Sequence, residues 1–532
     1  MTNRPVQGMG EGKFSRRQVL QYSGLAAAGI TGMSALAACG GDDGGGGGGG
    51  GTGGAQKSGG ILTHGATGGS SKDTIDPHAP VTNPDIARVS NLYEPLLFWD
   101  NDYKLAPALA ESVEASSDAK QWTINLRQGV TFHNGKTMTA EDVLFSIGRV
   151  TGGGDPAKAT SAGGILAGII DLDASKAVDD NTVLLALKQP YAIIDQLLAE
   201  YTFGIIPSDW DAAKPVGTGA FSYSSFTPGK DSVFKKYADY WGTPAFVDEL
   251  HIQDFADDSA KVNALLAGQI QTVDNLPTTL IDSVKAQGGS PLISDTGAWV
   301  PFTMRVDVAP FDDPRVRQAM RLIVDRQQMI DQALSGYGFL GNDMYAPFDP
   351  AYAKDLPQRE QDLDQAKSLL KSAGAEGLQV ELFTGDDIGS VATASASLFA
   401  EQAKGAGVDV KVTKKTPFYG EDYLSYPFAQ DFWNTRLYIP QVGVCAVKGA
   451  TYNETHWDNA KFAGIIDQAS REVDETKRNA LLQDAQQIEY DEGGYIIWGF
   501  RQQVDGYSST VKGLEPSKYL PLGSYKFQNV SV

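Results

Sequence analysis

The sequence predicts a mixed α/β protein, because short strand patterns alternate with amphipathic helix patterns along most of the chain. In "WTINL", Trp122, Ile124 and Leu126 alternate with polar residues, which is the period of a strand with one buried face. The segments "TVLLALK" and "LQVELF" are further short strand candidates. Between such segments, apolar residues recur every three or four positions, the period of a helix with one buried face.

Three segments show the helix pattern clearly. Asp313 precedes Pro314, a pair that favours a helix start with proline in the first turn. Gly374 marks the predicted end of a second helix, which lies within residues 362–374. The apolar faces are formed by Val316, Met320, Ile323 and Val324 in the first segment, by Ala366, Leu369, Leu370 and Ala373 in the second, and by Phe462, Ile465, Ile466 and Ala469 in the third.

Residues 122–147 predict a strand, a turn and a helix in succession. Asn134-Gly135 is a strong turn signal, and Thr139, three residues before Asp142, favours a capped helix start. His133 lies in the turn, and we interpret it as structural because no catalytic group accompanies it.

Composition excludes several classes of protein. The 532 residues suffice for two or three domains, and 42% hydrophobic and 20% charged residues are typical of a soluble globular protein. With 44 basic and 65 acidic residues, the net charge of -21 repels nucleic acid, and no basic patch follows Arg17. The two cysteines, Cys39 and Cys445, can form at most one bridge, so disulfides are not the framework.

Residues 1–39 are interpreted as an export signal that is not part of the fold. Arg16 and Arg17 resemble a twin-arginine signal, and the apolar stretch after them is too short and too rich in alanine and glycine to span a membrane. The segment "LAAC" resembles a bacterial lipobox, in which Cys39 becomes the lipidated first residue of the mature chain. The alternative is a cysteine buried in an apolar helix.

Lipid on Cys39 explains the composition of the residues that follow. Each buried methylene contributes about 0.8 kcal/mol, so several acyl chains hold a protein on a membrane where one does not. Residues 40–58 are rich in glycine, which predicts a flexible tether with a root-mean-square span of roughly 25 Å.

The sequence lacks the motifs of common secreted enzymes. It contains neither HExxH nor GxSxG, and the Ser-x-x-Lys matches, among them those at Ser117 and Ser368, have no companion Ser-Asp-Asn or Lys-Thr-Gly. Metal-ligand spacing is absent among the five histidines, His64, His78, His133, His251 and His456. We therefore expect no catalysis, no metal and no cofactor.

Several collinear blocks closely resemble the family 5 extracellular solute-binding proteins, which include oligopeptide-, dipeptide- and nickel-binding receptors of ABC importers. The blocks, besides 122–147, are "TIDPH" (74–78), "NLYEPLL" (91–97), "LAPALAESVE" (105–114), "GTGAFSYSSFTPGKDSVFKKYADYWG" (217–242), "VNALLAGQIQTVDNLP" (262–277), "PFDDPRVRQAMRLIVDRQQMI" (310–330) and "DLDQAKSLLKSAG" (362–374). The resemblance runs from about Gly59 to the C-terminus, and several blocks in order are more specific than one motif.

The resemblance implies a two-lobed, periplasmic-binding-protein-like fold of type II, in its large three-domain form, with a ligand cleft between the lobes. One lobe is then discontinuous in sequence. The implied ranges are 59–96, 212–306 and 496–532 for lobe one, 97–211 for an extra domain, and 307–495 for lobe two.

The resemblance also implies candidate ligand-binding residues. Trp299 and Phe302 match the strand that crosses the hinge, where the family often places an aromatic residue at the cleft. Phe203 lies where a strand would return toward the cleft. An exposed tryptophan face suits stacking on a ligand, and core packing is the open alternative.

A second candidate region is "FAQDFWNTRLYIPQ", with Asp431, Trp433 and Arg436. In peptide-binding members the corresponding segment commonly leads into Gly-Trp and an Asp-Tyr-Pro-Asp-like loop, whose carboxylate receives the peptide ammonium. This sequence has the aspartate and lacks that loop, so Asp431 is either a ligand contact or the aspartate at a strand start that is seen widely in the family.

These observations predict a monomeric, lipid-anchored receptor on the extracytoplasmic face of the membrane. It would close its lobes over a solute and deliver it to an ABC permease whose ATPase subunits are separate chains. An oligopeptide is the predicted solute, an oligosaccharide or another non-peptide solute is the alternative, and a secreted enzyme is a more distant one.

Overall fold

The computed structural model describes residues 56–155, 157–160 and 163–532. The predicted export signal, the lipobox cysteine Cys39 and nearly all of the predicted tether lie outside these residues. Within them, no helix combines the length and the apolar character needed to cross a bilayer.

The described chain alternates strands and helices, as the fold class predicted. The strands are β1 (Ile61–Thr67), β2 (Leu97–Trp99), β3 (Leu105–Pro107), β4 (Ala110–Ala115), β5 (Gln121–Leu126), β6 (Ile170–Asp179), β7 (Thr182–Leu187), β8 (Phe221–Thr227), β9 (Asp231–Lys236), β10 (Glu249–Phe255), β11 (Thr272–Val273), β12 (Ser290–Ala298), β13 (Phe302–Met304), β14 (Gly338–Leu340), β15 (Gln379–Thr384), β16 (Asp409–Lys414), β17 (Phe428–Gln430), β18 (Tyr495–Ile496) and β19 (Gly499–Tyr507). The helices are α1 (Asn83–Leu92), α2 (Ala140–Val150), α3 (Gly164–Ile169), α4 (Ile194–Leu197), α5 (Asp258–Leu266), α6 (Ile281–Ala286), α7 (Pro314–Leu322), α8 (Arg326–Ala333), α9 (Leu363–Ser372), α10 (Ser390–Lys404), α11 (Tyr438–Cys445), α12 (Ala460–Arg471), α13 (Glu475–Glu492) and α14 (Pro521–Ser524).

The largest sheet has the strand order β12-β19-β11-β1-β10-β9-β8, and β14 also pairs with β19. In it, β1 runs parallel to β10 and β11, whereas the other described pairs are antiparallel. We call the unit built on this sheet the first lobe. It draws on four separate stretches of chain, because β1, β8 to β12, β14 and β19 meet in one sheet.

A second sheet has the order β16-β15-β17-β13-β18 and forms what we call the second lobe. Its core lies between the sheet and helices α7, α8, α9 and α10, whose apolar faces are buried against it. Arg321 of α7 is fully buried there and donates hydrogen bonds to the carbonyl groups of Tyr490, Gly493 and Tyr495. These bonds tie α7 to the end of α13 and to β18.

A third sheet, β4-β5-β7-β6, forms what we call the extra domain, with α2 packed on it. The hairpin of β2 and β3 lies beside it in sequence and pairs as a separate two-stranded sheet. The extra domain has its own buried core, which includes Trp122, Ile124 and Val143. The ranges predicted for the three units stay a prediction. Residues 302–304, which the prediction assigns to lobe one, pair within the sheet of the second lobe as β13.

The local predictions agree with the described elements. Trp122, Ile124 and Leu126 are the buried positions of β5, and Thr139 and Asp142 form a reciprocal capping box at the start of α2. Asp313 caps α7 through the backbone N–H of Arg315, with proline in the first turn. Gly374, beyond the end of α9, has a φ of 71°, a conformation that a residue with a Cβ rarely adopts.

Candidate functional site

Two of the strand connections between the lobes lie side by side. The chain leaves the first lobe at β12 and enters the second at β13 after residues 299–301. It returns from β18 to β19 through residues 497–498. Because both crossings are short and lie side by side in the sheets, they form a hinge about which the two lobes can rotate.

Trp299 and Trp433 lie at this hinge and face each other. Trp299 donates its backbone N–H to the carbonyl of Trp433 at 3.0 Å, and Trp433 donates to Trp299 at 2.9 Å. Their rings are stacked with centroids 6.0 Å apart. The side chains are 1% and 2% exposed, and both belong to a large buried cluster that also contains Tyr345 and Tyr495.

Asp431 is the first residue after β17 and is fully buried. Tyr419 donates its hydroxyl to one carboxylate oxygen at 2.7 Å, and Tyr423 donates to the other at 2.6 Å. The backbone N–H of Phe432 adds a third hydrogen bond at 2.7 Å. The carboxylate is therefore held in one orientation by two tyrosines on the loop before β17 and by the backbone N–H of Phe432, the residue that follows Asp431.

A second buried carboxylate belongs to the same network. Glu454 lies 3.4 Å from the hydroxyl of Tyr423, which thereby connects it to Asp431. Tyr495 of β18 donates a short hydrogen bond to the other oxygen of Glu454. Burial raises the pKa of Tyr495 well above its ordinary value, so this hydroxyl keeps its proton and acts as a donor. Two acidic side chains are thus brought together beside the hinge among aromatic rings.

Arg436 lies at the edge of this region, next to the extra domain. Its guanidinium is 5.5 Å from the ring centroid of Trp433, within the range of a cation–π contact. Burial raises the pKa of Glu200 in the extra domain, and the positive charge of Arg436 acts in the opposite direction. Arg436 therefore lies between the hinge tryptophans and an acidic group of the extra domain.

Two of the sequence-derived candidates lie in domain cores. Phe302 is fully buried in β13, with its ring 4.6 Å from Phe399 and 6.1 Å from Phe428. Phe203 is buried in the core of the extra domain, in the same cluster as Leu96 and Ile205. Their assignment as ligand contacts stays a prediction.

Sequence reasoning did not select Tyr419, Tyr423 or Glu454. The available signal was the density of aromatic and acidic residues in "FYGEDYLSY" and "TYNETHW". That signal is weak, because nothing in the spacing links residues near 420 to residue 454. The two segments meet only through the packing of the second lobe.

Four of the five histidines lie apart from this site; the ring of His456 lies 2.8 Å from the carbonyl oxygen of Leu424, next to Tyr423. Burial lowers the pKa of His64, His78 and His133 to about 4, so all three are neutral in the folded protein near pH 7. In the part of the chain described here, no group of three or more His, Cys, Asp or Glu residues is arranged to hold a metal ion. Cys445 is a buried free thiol whose pKa is raised by burial.

Two lobes joined by adjacent hinge strands, with a buried polar cluster where the lobes meet, define a solute-binding protein of the two-lobed class. The family model of the bacterial extracellular solute-binding proteins, family 5, matches residues 104–444. The chain belongs to this family, as its sequence blocks predicted. Proteins of the family serve as the extracytoplasmic binding components of ABC importers.

Individual relatives agree with that assignment. The chain is 27% identical over 467 residues to a dipeptide-binding protein of Escherichia coli strain K12, covering 81% of this chain and 86% of that protein. It is 28% identical over 428 residues to di/tripeptide-binding protein 1 of Pseudomonas aeruginosa strain UCBPP-PA14, covering 72% and 78%. The periplasmic binding protein DppA of Helicobacter pylori, solved with the peptide STSA, has the same fold, with a TM-score of 0.70, 23% identity, and coverage of 90% and 98%.

Proposed function

We propose that this protein is the receptor of an ABC importer for oligopeptides with a free amino terminus. The observation that carries the proposal is the oriented, fully buried carboxylate of Asp431 beside the hinge. The names of its relatives, which include dipeptide-binding and di/tripeptide-binding proteins, support the same solute class.

An ammonium group suits this position for two reasons. A carboxylate that is fixed by two tyrosine hydroxyls presents a preorganised acceptor, and charge-assisted hydrogen bonds to it are roughly twice as strong as neutral ones. The rings of Tyr419 and Tyr423, whose hydroxyls bond it, lie beside it, and aromatic faces attract cations. Asp431 and Glu454 together give the region the charge complementary to a cationic terminus.

Binding is coupled to closure rather than to covalent chemistry. A solute that contacts both lobes has a higher affinity for the closed form, so its binding shifts the population toward closure. Candidate contacts come from both sides of the hinge, with Trp299 after β12 and Asp431 after β17. The closed protein would then present the solute to a permease, whose ATPase subunits are separate chains.

We further propose that the receptor is anchored by lipid on Cys39 and acts on the outer face of the membrane. The twin-arginine pair, the lipobox-like "LAAC" and the glycine-rich residues after it support this location. The anchor would keep the receptor within reach of its permease, and the chain would act as a monomer without a cofactor.

An oligosaccharide is the second candidate solute. It is favoured by the aromatic residues near Asp431, with Tyr419 and Tyr423 bonded to it and Trp433 two residues along the chain, since sugars are commonly bound by stacking on such faces. Under this alternative Asp431 would accept hydrogen bonds from hydroxyl groups, and the ligand would need no positive charge.

Thermal unfolding of the purified full-length chain with a panel of solutes separates the two candidates. The panel contains Ala-Ala, Ala-Ala-Ala, Ser-Thr-Ser-Ala, N-acetyl-Ala-Ala-Ala and maltotriose. A ligand at 100 times its Kd stabilises the folded state by about 2.7 kcal/mol, which raises the Tm measurably. A rise with the free peptides alone supports the proposal; a rise with maltotriose alone supports the second candidate, and equal rises with free and acetylated tripeptide contradict the role given to the ammonium.

A further inference from the structure

Residues 191–200 of the extra domain pack against the second lobe. The backbone N–H of Ala192 donates to the carbonyl of Ser470 in α12 at 2.7 Å. The next residue, Ile193, is 1% exposed and belongs to the second-lobe cluster that includes Ile466 and Ala469 of the same helix. An apolar side chain of one domain thus completes the core of another.

The next residue along the chain, Ile194, is buried in the other domain. Ile194 is fully buried in the core of the extra domain itself, together with Leu198. Successive side chains of this segment therefore point into two different cores. Such a segment cannot leave the second lobe without exposing Ile193 to water, and that exposure is unfavourable.

The far end of the segment makes a second contact with the lobe. Ala199 and Leu437 are buried in one cluster with Trp99 and Tyr103 of the hairpin region. Leu437 follows Arg436 directly, and Glu200 follows Ala199, so both charged residues adjoin this apolar contact. Glu200 accepts hydrogen bonds from Trp99 at 3.1 Å and from Tyr519 at 2.7 Å, which fix its carboxylate on the first-lobe side.

We propose that residues 191–200 form a clasp, through which the extra domain stabilises the closed form of the two lobes. Within the clasp, Ile193 supplies the apolar contact, and Glu200 is a positioning residue that holds Arg436 above Trp433. The clasp acts before and independently of any solute, so the proposal goes beyond the identity of the ligand. The opposing effect of the Arg436 charge on the pKa of Glu200 agrees with their proximity.

The apolar part of the clasp is tested with a matched pair of variants, Ile193→Ala and Ile194→Ala. Both remove the same atoms from fully buried positions, so both lower the Tm, yet only the first loses a contact with the second lobe. Lobe separation is measured by double electron–electron resonance between spin labels at Glu114→Cys and Lys371→Cys, which are exposed positions on the extra domain and the second lobe, in a Cys39→Ser background.

For the ligand-free protein, we expect Ile193→Ala to lower the ratio of short to long label distances by about fivefold or more. Ile194→Ala should leave this ratio within about twofold of the parent. Equal distance distributions in the two variants would overturn the proposal, because the segment would then be an ordinary part of the extra-domain core.

The polar part of the clasp has its own control, because Glu94 accepts the same kinds of hydrogen bond as Glu200 at a different place in the fold. Glu94 accepts from Tyr240 and Trp241, as Glu200 accepts from a tyrosine and a tryptophan, and burial raises the pKa of both carboxyls. Glu200→Gln should lower the closed fraction and weaken its dependence on NaCl, because one charge of the pair with Arg436 is removed. Glu94→Gln should behave as the parent. If Glu200→Gln keeps the parental closed fraction and salt response, Glu200 does not position Arg436.

Discussion

Trp299 and Trp433 are joined by two reciprocal backbone hydrogen bonds, of 3.0 and 2.9 Å, where the chain passes between the lobes. Trp299 directly follows β12 of the first lobe, and Trp433 lies shortly after β17 of the second. Any rotation of the lobes must therefore move or strain this pair, and a ligand that touches either ring is coupled to the hinge.

Replacing Trp433 tests this coupling. Trp433→Ala removes a buried ring from the hinge cluster, so we expect a loss of stability of about 3–5 kcal/mol and a peptide affinity weakened by about 1–3 kcal/mol. Trp299→Ala should act in the same direction. Trp457→Ala is the control, because Trp457 is also buried in this cluster but packs on Phe462 of α12. Calorimetric titration with the peptide that gives the largest Tm shift measures the affinity; unchanged affinity in Trp433→Ala and Trp299→Ala would assign both rings to the core alone.

Asp431→Asn tests the acceptor for the ammonium. The amide keeps the size of the side chain and removes its charge, so we expect binding of a free tripeptide to weaken by about 2–5 kcal/mol. The hydroxyls of Tyr419 and Tyr423 remain in place to orient the amide. Binding of the same tripeptide with an acetylated terminus should change little. Parallel titrations of the two peptides decide the matter, and equal losses for both would argue against a specific ammonium contact.

Glu489 predicts a pH dependence of stability. It is buried, accepts a hydrogen bond from Tyr438 at 2.7 Å, and burial raises its pKa from 4.5 to about 8. Because the folded state holds this proton more tightly than the unfolded chain, the stabilisation is complete below pH 4.5 and is lost as pH rises toward 8. Buried Arg321 nearby donates to backbone carbonyl groups, and its charge, together with the hydroxyls of Tyr438 and Tyr345, only partly offsets the effect of burial on the Glu489 pKa.

Glu489→Gln mimics the protonated side chain at every pH. The difference in unfolding free energy between Glu489→Gln and the parent should therefore grow in favour of the variant between pH 4.5 and 8, by up to about 4 kcal/mol. Asp491→Asn, an exposed position on the same helix, should show no such trend. Urea denaturation at five pH values measures the difference; a flat difference between Glu489→Gln and the parent across this window would show that Glu489 is ionised in the fold.

Cys39→Ala tests the proposed anchor. If Cys39 carries lipid, the variant should move from the detergent phase to the aqueous phase on phase separation of cell extracts, because the acyl chains are its hold on the membrane. The Tm of the purified protein should stay the same. Cys445→Ala is a useful companion, since it removes the other, buried cysteine and should leave the partitioning unchanged. Retention of Cys39→Ala in the detergent phase would exclude lipid on Cys39 as the anchor.

Much of the local structure follows from residues that are close in sequence. The alternation in Trp122, Ile124 and Leu126 predicts β5, and the pair Thr139 and Asp142 predicts the start of α2, because a strand face and a helix cap each depend on a few neighbouring positions. The collinear blocks similarly identified the family and the two-lobed fold.

The site depends on contacts that no local pattern encodes. The sequence by itself determined that Trp299, Asp431 and Trp433 are candidates for one cleft, and it determined the class of receptor. Only the tertiary structure decided that Tyr423 connects Asp431 to Glu454 and that Ile193 completes the core of another domain. The physical reason is that packing brings together segments whose separation along the chain is unrelated to any helix or strand period, so the energies that select these contacts exist only once the lobes have assembled.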